Sequence, residues 1–111
     1  MSLDNKGDSS FDISAVIITK NEAANIERCI KALQHVAKEI IIIDAFSTDQ
    51  TLSIAQNLNA TVLQKKWVGY GFNKNIGNQL ATYDWILSID ADEVLSPELI
   101  RSINNLSLIH I

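Results

Sequence analysis

The sequence predicts an α/β fold, a mostly parallel sheet with helices on both faces. Three observations carry that expectation. Apolar runs of strand length alternate four times with segments of helical periodicity. The runs at Ile13 to Thr19 and Glu39 to Asp44 are apolar at consecutive rather than alternate positions, as suits strands covered on both sides. The connections are short, and each gap between strands holds the helix that a parallel crossover requires.

Taken in order, residues 1–11 read as a flexible leader, because Met1 to Ser10 is polar and carries Gly7 and a Ser pair. Ile13-Ser14-Ala15-Val16-Ile17-Ile18-Thr19 is the first expected strand. Lys20-Asn21-Glu22 breaks it, with Asn21 or a neighbour placed to cap the following helix. In that helix Ile26, Cys29, Ile30 and Leu33 recur at i, i+3, i+4 and i+7, an apolar stripe in which Cys29 reads as packing rather than as a reactive thiol. The second strand ends in Asp44. Ser47-Thr48-Asp49-Gln50 has the pattern of a capping box, so Ser47 and Asp49 read as helix-start residues. Thr51, Ile54, Ala55 and Leu58 give the inner stripe of the second helix, and Asn59 is a left-handed stop.

Ala60 to Leu63 is a short third strand. Lys65 to Gly71 is irregular, with Gly69 and Gly71 permitting unusual dihedrals. The third helix is expected to bury Phe72, Ile76, Leu80 and Tyr83, and Trp67 reads as a core anchor before it reads as a lid. Trp85-Ile86-Leu87-Ser88-Ile89 forms the fourth strand and runs into Asp90-Ala91-Asp92-Glu93. Ser96-Pro97 opens a fourth helix, with Leu99, Ile100, Ile103 and Leu106 as its stripe. Residues 106–111 read as a tail of uncertain origin, leaving 12–105 as the folded unit.

Composition narrows the function. The 111 residues hold one domain at most. With 13 acids against 9 Lys and Arg the net charge is -4, which argues against a protein that reads a nucleic-acid backbone. A single cysteine allows no internal disulfide and favours a reducing compartment. No secretory signal pattern is present, and no apolar run approaches the roughly 20 residues of a membrane span.

The acids are placed, not scattered. Glu22 follows the first strand, Asp44 closes the second, and Asp90 and Asp92 follow the fourth. In a parallel sheet all of these lie on the carboxyl edge, where ligands bind. Asp90 and Asp92, two apart in extended chain, can aim at one point, and a divalent cation would relieve their repulsion. Other chemistries lack their signatures. There is no Walker A loop, no G-x-G-x-x-G after the first strand and no G-x-S-x-G elbow. His35 and His110 are not spaced with Cys or acids as a zinc site requires. An oxygen-ligand site for Mg²⁺ or Mn²⁺ with substrate phosphates remains. Glu22 and Asp44 are then left to accept from neutral donors such as a base N–H or ribose hydroxyls.

Four motifs now stand in order: Val16-Ile17-Ile18-Thr19-Lys20-Asn21-Glu22, Ile43-Asp44-Ala45-Phe46-Ser47-Thr48-Asp49-Gln50-Thr51, Trp67-Val68-Gly69-Tyr70-Gly71-Phe72-Asn73-Lys74-Asn75, and Asp90-Ala91-Asp92-Glu93. Together they resemble the family 2 glycosyltransferases of GT-A fold, in a branch that includes lipopolysaccharide core β-glucosyltransferases. The resemblance runs from about Asp12 to Asn104.

It implies a Rossmann-like domain binding a nucleotide-diphospho-sugar, UDP-linked. It places Thr19 and Glu22 beside base and ribose, Asp44 as acceptor from the base, and Lys74 near the base or diphosphate. Asp90 would face ribose or metal, and Asp92 would ligate Mg²⁺ or Mn²⁺. The reaction implied is inverting transfer to a glycan or lipid-linked acceptor, in the cytoplasm or at the inner face of the cytoplasmic membrane, with peripheral membrane association. The general base would lie beyond residue 111, so the chain reads as a truncated, donor-binding part with no catalytic residue identified, and Glu93 has a local structural role. Two alternative readings fit an α/β sheet with acids at its carboxyl edge. A sugar nucleotidyltransferase would want a Gly-rich loop after the first strand, and a non-catalytic flavodoxin-like domain would want its paired acids there.

Overall fold

The computed structural model describes residues 1–5 and 11–109, with side chains through residue 106. The chain runs β1 (Ser2–Asn5), β2 (Ile13–Thr19), α1 (Ile26–Leu33), β3 (Glu39–Asp44), α2 (Thr51–Asn57), β4 (Thr61–Gln64), α3 (Tyr70–Leu80), β5 (Trp85–Ser88) and α4 (Pro97–Ile109). The five strands form one sheet in the order β1-β5-β2-β3-β4. Strands β2 to β5 are mutually parallel, as expected, and β1 pairs antiparallel with β5.

Side-chain alternation sorts the core into two layers. Ile13, Ala15, Ile17, Ile40, Ile42 and Leu87 face α1, α2 and α4, meeting Ile26, Cys29, Ile30, Leu33, Ala55 and Ile103. Val16, Ile41, Ile43 and Ile86 face the other way and are covered by α3 through Ile76, with Ala81 just past its end. Helices therefore cover both faces, three against one. From β2 the chain steps outward to β3 and β4, then α3 carries it back over the opposite face to β5 on the far side of β2. The strand order reverses between β2 and β5, and at such a point the connections diverge and leave a crevice at the carboxyl edge.

Four expectations need correction. The leader is not loose throughout: Ser2–Asn5 pairs with β5 from Ser2↔Ser88 to Asn5↔Trp85, while residues 6–10 of that leader lie outside the described residues. The third helix does not bury Phe72 and Leu80, which are exposed; its inner residues are Asn73 and Gly77. The helix lies so close to the sheet that a Cβ on Gly77 would collide with Val16 Cγ1 and come within 3.3 Å of Ile43 Cγ1. A large apolar side chain cannot fit there. The second helix begins at Thr51, so Ser47 is not its cap. Finally, α4 continues through the boundary drawn at residue 106, with Leu106 exposed; the last two residues of the expected tail lie outside the described residues.

The stripes of α1 and α2 are as expected. Ile26, Cys29, Ile30 and Leu33 are buried, as are Thr51 and Ala55, with Ile54 and Leu58 packed at the margin. Asn59 takes a left-handed φ of 65°, ending α2.

Candidate functional site

The carboxyl edge of the sheet holds a pocket of about 280 Å³. It is lined by Ile18 and Thr19 at the end of β2, by Lys20 and Glu22 just past it, by Asp90, Ala91 and Asp92 after β5, and by Trp67 and Tyr70 ahead of and at the start of α3. Four of the expected site residues, Thr19, Glu22, Asp90 and Asp92, are thus brought together. A larger hollow of about 360 Å³ lies at the opposite edge, where Lys38 is paired with Asp12 and Glu39 accepts from Ser14 and Thr82. Its charged groups are already committed.

The acid turn is built by alternation. Ile89 and Ala91 are buried, so Asp90 and Asp92 face outward together. The Asp90 N–H donates to Glu93 Oε1 at 2.9 Å and the Glu93 N–H returns a bond to the Asp90 carbonyl at 3.0 Å, which closes the turn. Glu93 therefore has the local role expected of it. Neither the Asp90 nor the Asp92 carboxylate is committed to a hydrogen bond or ion pair among the described residues. Beneath the turn, Cys29 Sγ lies 3.9 Å from the Asp90 carbonyl oxygen. Burial, reinforced by the carboxylates of Glu93, Asp92 and Glu22, pushes its thiol up to about 11, so it is packing material and not a nucleophile.

Asp44 is different. It is fully buried, and its two oxygens take four donors: Thr19 Oγ1 at 2.6 Å and Ser47 Oγ at 2.5 Å on Oδ1, Ser47 N–H at 2.9 Å and Gln64 Nε2 at 3.3 Å on Oδ2. Burial raises its pKa, and the bonds from Ser47 and Thr19 outweigh that, so the carboxyl sits below its usual range. A carboxylate has about four acceptor positions. All are filled from within the chain, so in this structure Asp44 is a pin between loops, and Thr19, 1% exposed, offers the pocket little beyond its backbone.

The loop after β2 is stitched to the loop after β3. Asn21, at φ 54°, accepts on Oδ1 from Thr48 N–H at 2.8 Å and Asp49 N–H at 3.3 Å, and its own N–H donates to Ser47 Oγ at 2.8 Å. Glu22 N–H donates to Thr51 Oγ1 at 2.8 Å, and Thr51 Oγ1 in turn donates to Asp49 Oδ1 at 2.5 Å. Bonds from Thr51 above all hold the Asp49 carboxyl below its usual range. Asn21 and Ser47 are thus cross-braces rather than helix caps, whereas Asp49 is the helix-start residue expected: its Oδ1 accepts from the N–H of Thr51, the first residue of α2, at 2.9 Å, while its Oδ2 accepts from Ala23 N–H at 3.1 Å. Phe46, at φ 56° and 53% exposed, sits in the same braced turn with its carbonyl accepting from Lys20 Nζ at 2.9 Å.

Sequence reasoning missed the third wall. Trp67 is 52% exposed and lines the pocket, so it is not a core anchor. Tyr70 joins it; burial and then the Asp90 and Glu93 carboxylates raise its phenol above the usual value. Asn73, wholly buried, holds this wall in place: its Oδ1 accepts from Val68 N–H at 3.0 Å and its Nδ2 donates to the Lys66 carbonyl at 3.1 Å. An Asn four residues past a Gly in an otherwise amphipathic segment was the available signal. Lys74 does not line the pocket. Its Nζ lies 3.8 Å from Asp4 Oδ2 and 3.5 Å from Ser2 Oγ, both on β1.

Among the described residues no three His, Cys, Asp or Glu side chains gather as an enclosed metal centre. Mg²⁺ and Mn²⁺ do not need one, since they take one or two carboxylates and complete their shell with phosphate and water. The two uncommitted carboxylates of Asp90 and Asp92 fit that pattern. No helix of the described residues is long and apolar enough to cross a membrane.

Comparison with known proteins bears on what such a pocket serves. Residues 14–106 match the family model described as Glycosyl transferase family 2. The chain is 53% identical over 87 residues to an uncharacterized glycosyltransferase of Rickettsia bellii, covering 78% of this chain and 30% of that protein. It is 36% identical over 92 residues to the lipopolysaccharide core biosynthesis glycosyltransferase LpsC of Rhizobium meliloti, covering 78% and 34%. Among solved structures, S. aureus TarS (residues 1–349) superposes with a TM-score of 0.72 at 25% identity, covering 85% of this chain and 31% of that one. Glucosyl-3-phosphoglycerate synthase of Mycobacterium tuberculosis, solved with Mn²⁺, UDP and glucosyl-3-phosphoglycerate, superposes with a TM-score of 0.64 at 26% identity, covering 72% and 33%. The chain therefore spans about a third of the length of the relatives it matches.

Proposed function

The chain belongs to glycosyl transferase family 2, and from that premise we propose that it forms the donor-binding part of an enzyme moving a sugar from a nucleotide diphosphate to a glycan or lipid-linked acceptor. One observation carries the proposal: two adjacent carboxylates, Asp90 and Asp92, stand uncommitted in the crevice where the strand order reverses.

We take the donor to be UDP-linked and the transfer to be inverting. The bound UDP and Mn²⁺ of the mycobacterial neighbour support the first. Asp92 would hold Mg²⁺ or Mn²⁺, with Asp90 shared between metal and ribose. When bound there, the cation would offset the charge of the departing diphosphate. Glu22, beside them, would accept from ribose hydroxyls. A neighbouring hollow of about 470 Å³, whose lining includes Lys20, Ala45 and Trp67, offers a nucleobase apolar cover. Asp44 and Thr19 then act on the donor by holding the loops in register, and Lys74 has no part in it. The acceptor hydroxyl that attacks the anomeric carbon needs a general base, which we place outside these residues. The relative named for lipopolysaccharide core synthesis supports a role in building cell-envelope polysaccharide, with work done in the cytoplasm at the inner face of the membrane.

Titration calorimetry tests this directly. UDP should bind in the presence of Mn²⁺ at least about tenfold more tightly than without it, a difference of about 1.4 kcal/mol. Asp92→Asn should abolish the metal-dependent gain while leaving the melting temperature unchanged. Binding that ignores the metal, or a metal-dependent gain that survives in the variant, would sink the proposal.

A further inference from the structure

The stretch from Trp67 into the first turn of α3 is exposed where a folded chain ordinarily hides such residues. Trp67, Val68, Tyr70 and Phe72 fall within six residues, and Val68 and Phe72 are 62% and 57% exposed. Trp67 and Tyr70 line the donor pocket, but Val68 and Phe72 do not. Nor is the stretch slack. The buried Asn73 side chain clasps both the Val68 N–H and the Lys66 carbonyl, and the Asn73 N–H donates to the Gly69 carbonyl at 3.0 Å. The apolar side chains are held out rather than left to fold back.

Charge separates this stretch from the rest of the molecule. Lys65 and Lys66 directly precede it, both are exposed, and neither forms an ion pair among the described residues. From Lys65 to Tyr83 the chain has three lysines and no acid, within a protein of net charge -4. Aromatic and aliphatic side chains beside unpaired lysines are the combination that settles into the headgroup layer of an anionic bilayer: rings and methyls enter the interface, and ammonium groups meet lipid phosphates.

We propose that Lys65, Lys66, Val68 and Phe72 form a docking surface for an anionic lipid bilayer, which would set the mouth of the donor pocket against the membrane. This deepens the reading above, on which it rests only for the lipid-linked acceptor. Its complementarity is to negative headgroups in particular, because the three lysines and no acid from Lys65 to Tyr83 run against a net charge of -4 that would otherwise repel the molecule from such a surface.

Cosedimentation of the whole 111-residue chain with vesicles tests it. Vesicles of phosphatidylcholine with phosphatidylglycerol should bind the chain, phosphatidylcholine alone should not, and salt should weaken binding. Lys65→Gln/Lys66→Gln should weaken it about thirtyfold, from two lysines at the surface. Val68→Ser/Phe72→Ser should weaken it about tenfold or more. All four positions are exposed, so circular dichroism should be unchanged. UDP affinity should also be unchanged, which separates failure here from failure of donor binding. The proposal is overturned if the chain ignores both vesicle types, binds both alike, or binds undiminished in both variants. A dimer that Val68→Ser/Phe72→Ser dissolves, with no vesicle binding, would overturn it in favour of self-association.

Discussion

Replacing Asp44 by Asn distinguishes a pin from a reader of the nucleobase. The asparagine keeps one oxygen, which can still accept from the hydroxyls of Thr19 and Ser47, but its amide nitrogen must face the Ser47 N–H, a donor against a donor. A stranded buried donor costs about 1–3 kcal/mol. The two hydroxyl bonds lose their charge assistance, about 1 kcal/mol each. Gln64 can rotate its amide to accept and contributes little to the loss. The sum is about 3–5 kcal/mol, which in urea, at a slope of about 1–2 kcal/mol per molar, lowers the midpoint by roughly 2 M or more. The acid range gives a second reading. Because the folded pKa is depressed, the contribution is fully present above the unfolded value of about 3.9 and is lost as pH falls through the folded value. The stability gap between wild type and variant should therefore hold at neutral pH and close only below about pH 4. A loss below about 1 kcal/mol, accompanied by lost UDP affinity, would refute the reasoning and restore Asp44 as a base reader.

Two further outcomes are expected. Gly77→Ala should lower stability despite alanine's helix preference of about 1 kcal/mol, because overpacking against Val16 costs about 1–3 kcal/mol. Thermal melts should show that loss shrink when Val16→Ala is added, by at least about 0.5 kcal/mol of coupling; a stabilised single variant would show that α3 lies farther from the sheet. Lys74→Gln should leave UDP affinity within about twofold and stability within about 1 kcal/mol, as suits a partly exposed ion pair with Asp4. A large loss of affinity in calorimetry would return Lys74 to the donor.

Residues with one dominant physical demand were legible from the sequence. Ile13 and Ile17 of β2 and the isoleucines of β3 could only be buried, the α1 stripe had only one face to turn inward, and acids at strand ends could only lie at the carboxyl edge. Residues whose role depends on a distant partner were not. Ser2–Asn5 has no strand periodicity of its own and is ordered by the open side of β5. Ser47 has the chemistry of a cap but finds Asp44 and Asn21 nearer than a helix end. Gly77 and Asn73 face the sheet because α3 approaches closely, a fact about packing distance that hydrophobic periodicity cannot express. Trp67 was misplaced for the opposite reason: its size suggested a core, whereas Asn73 holds its loop outside one.

The position of β5 also governs the order in which the molecule can be completed. Strands β2, β3 and β4 are neighbours in chain and in space, so they can zip together as they emerge. The carboxylates of Asp90 and Asp92 travel on the one strand that must return across the sheet and slot beside β2, where Ile13 meets Trp85. That closure is the most distant in sequence among the parallel pairings, and distant pairings form slowly because the loop entropy is lost before contacts repay it. The pocket comes into existence only with the last parallel strand, so a bound nucleotide would report on a finished topology and not on a partly assembled one.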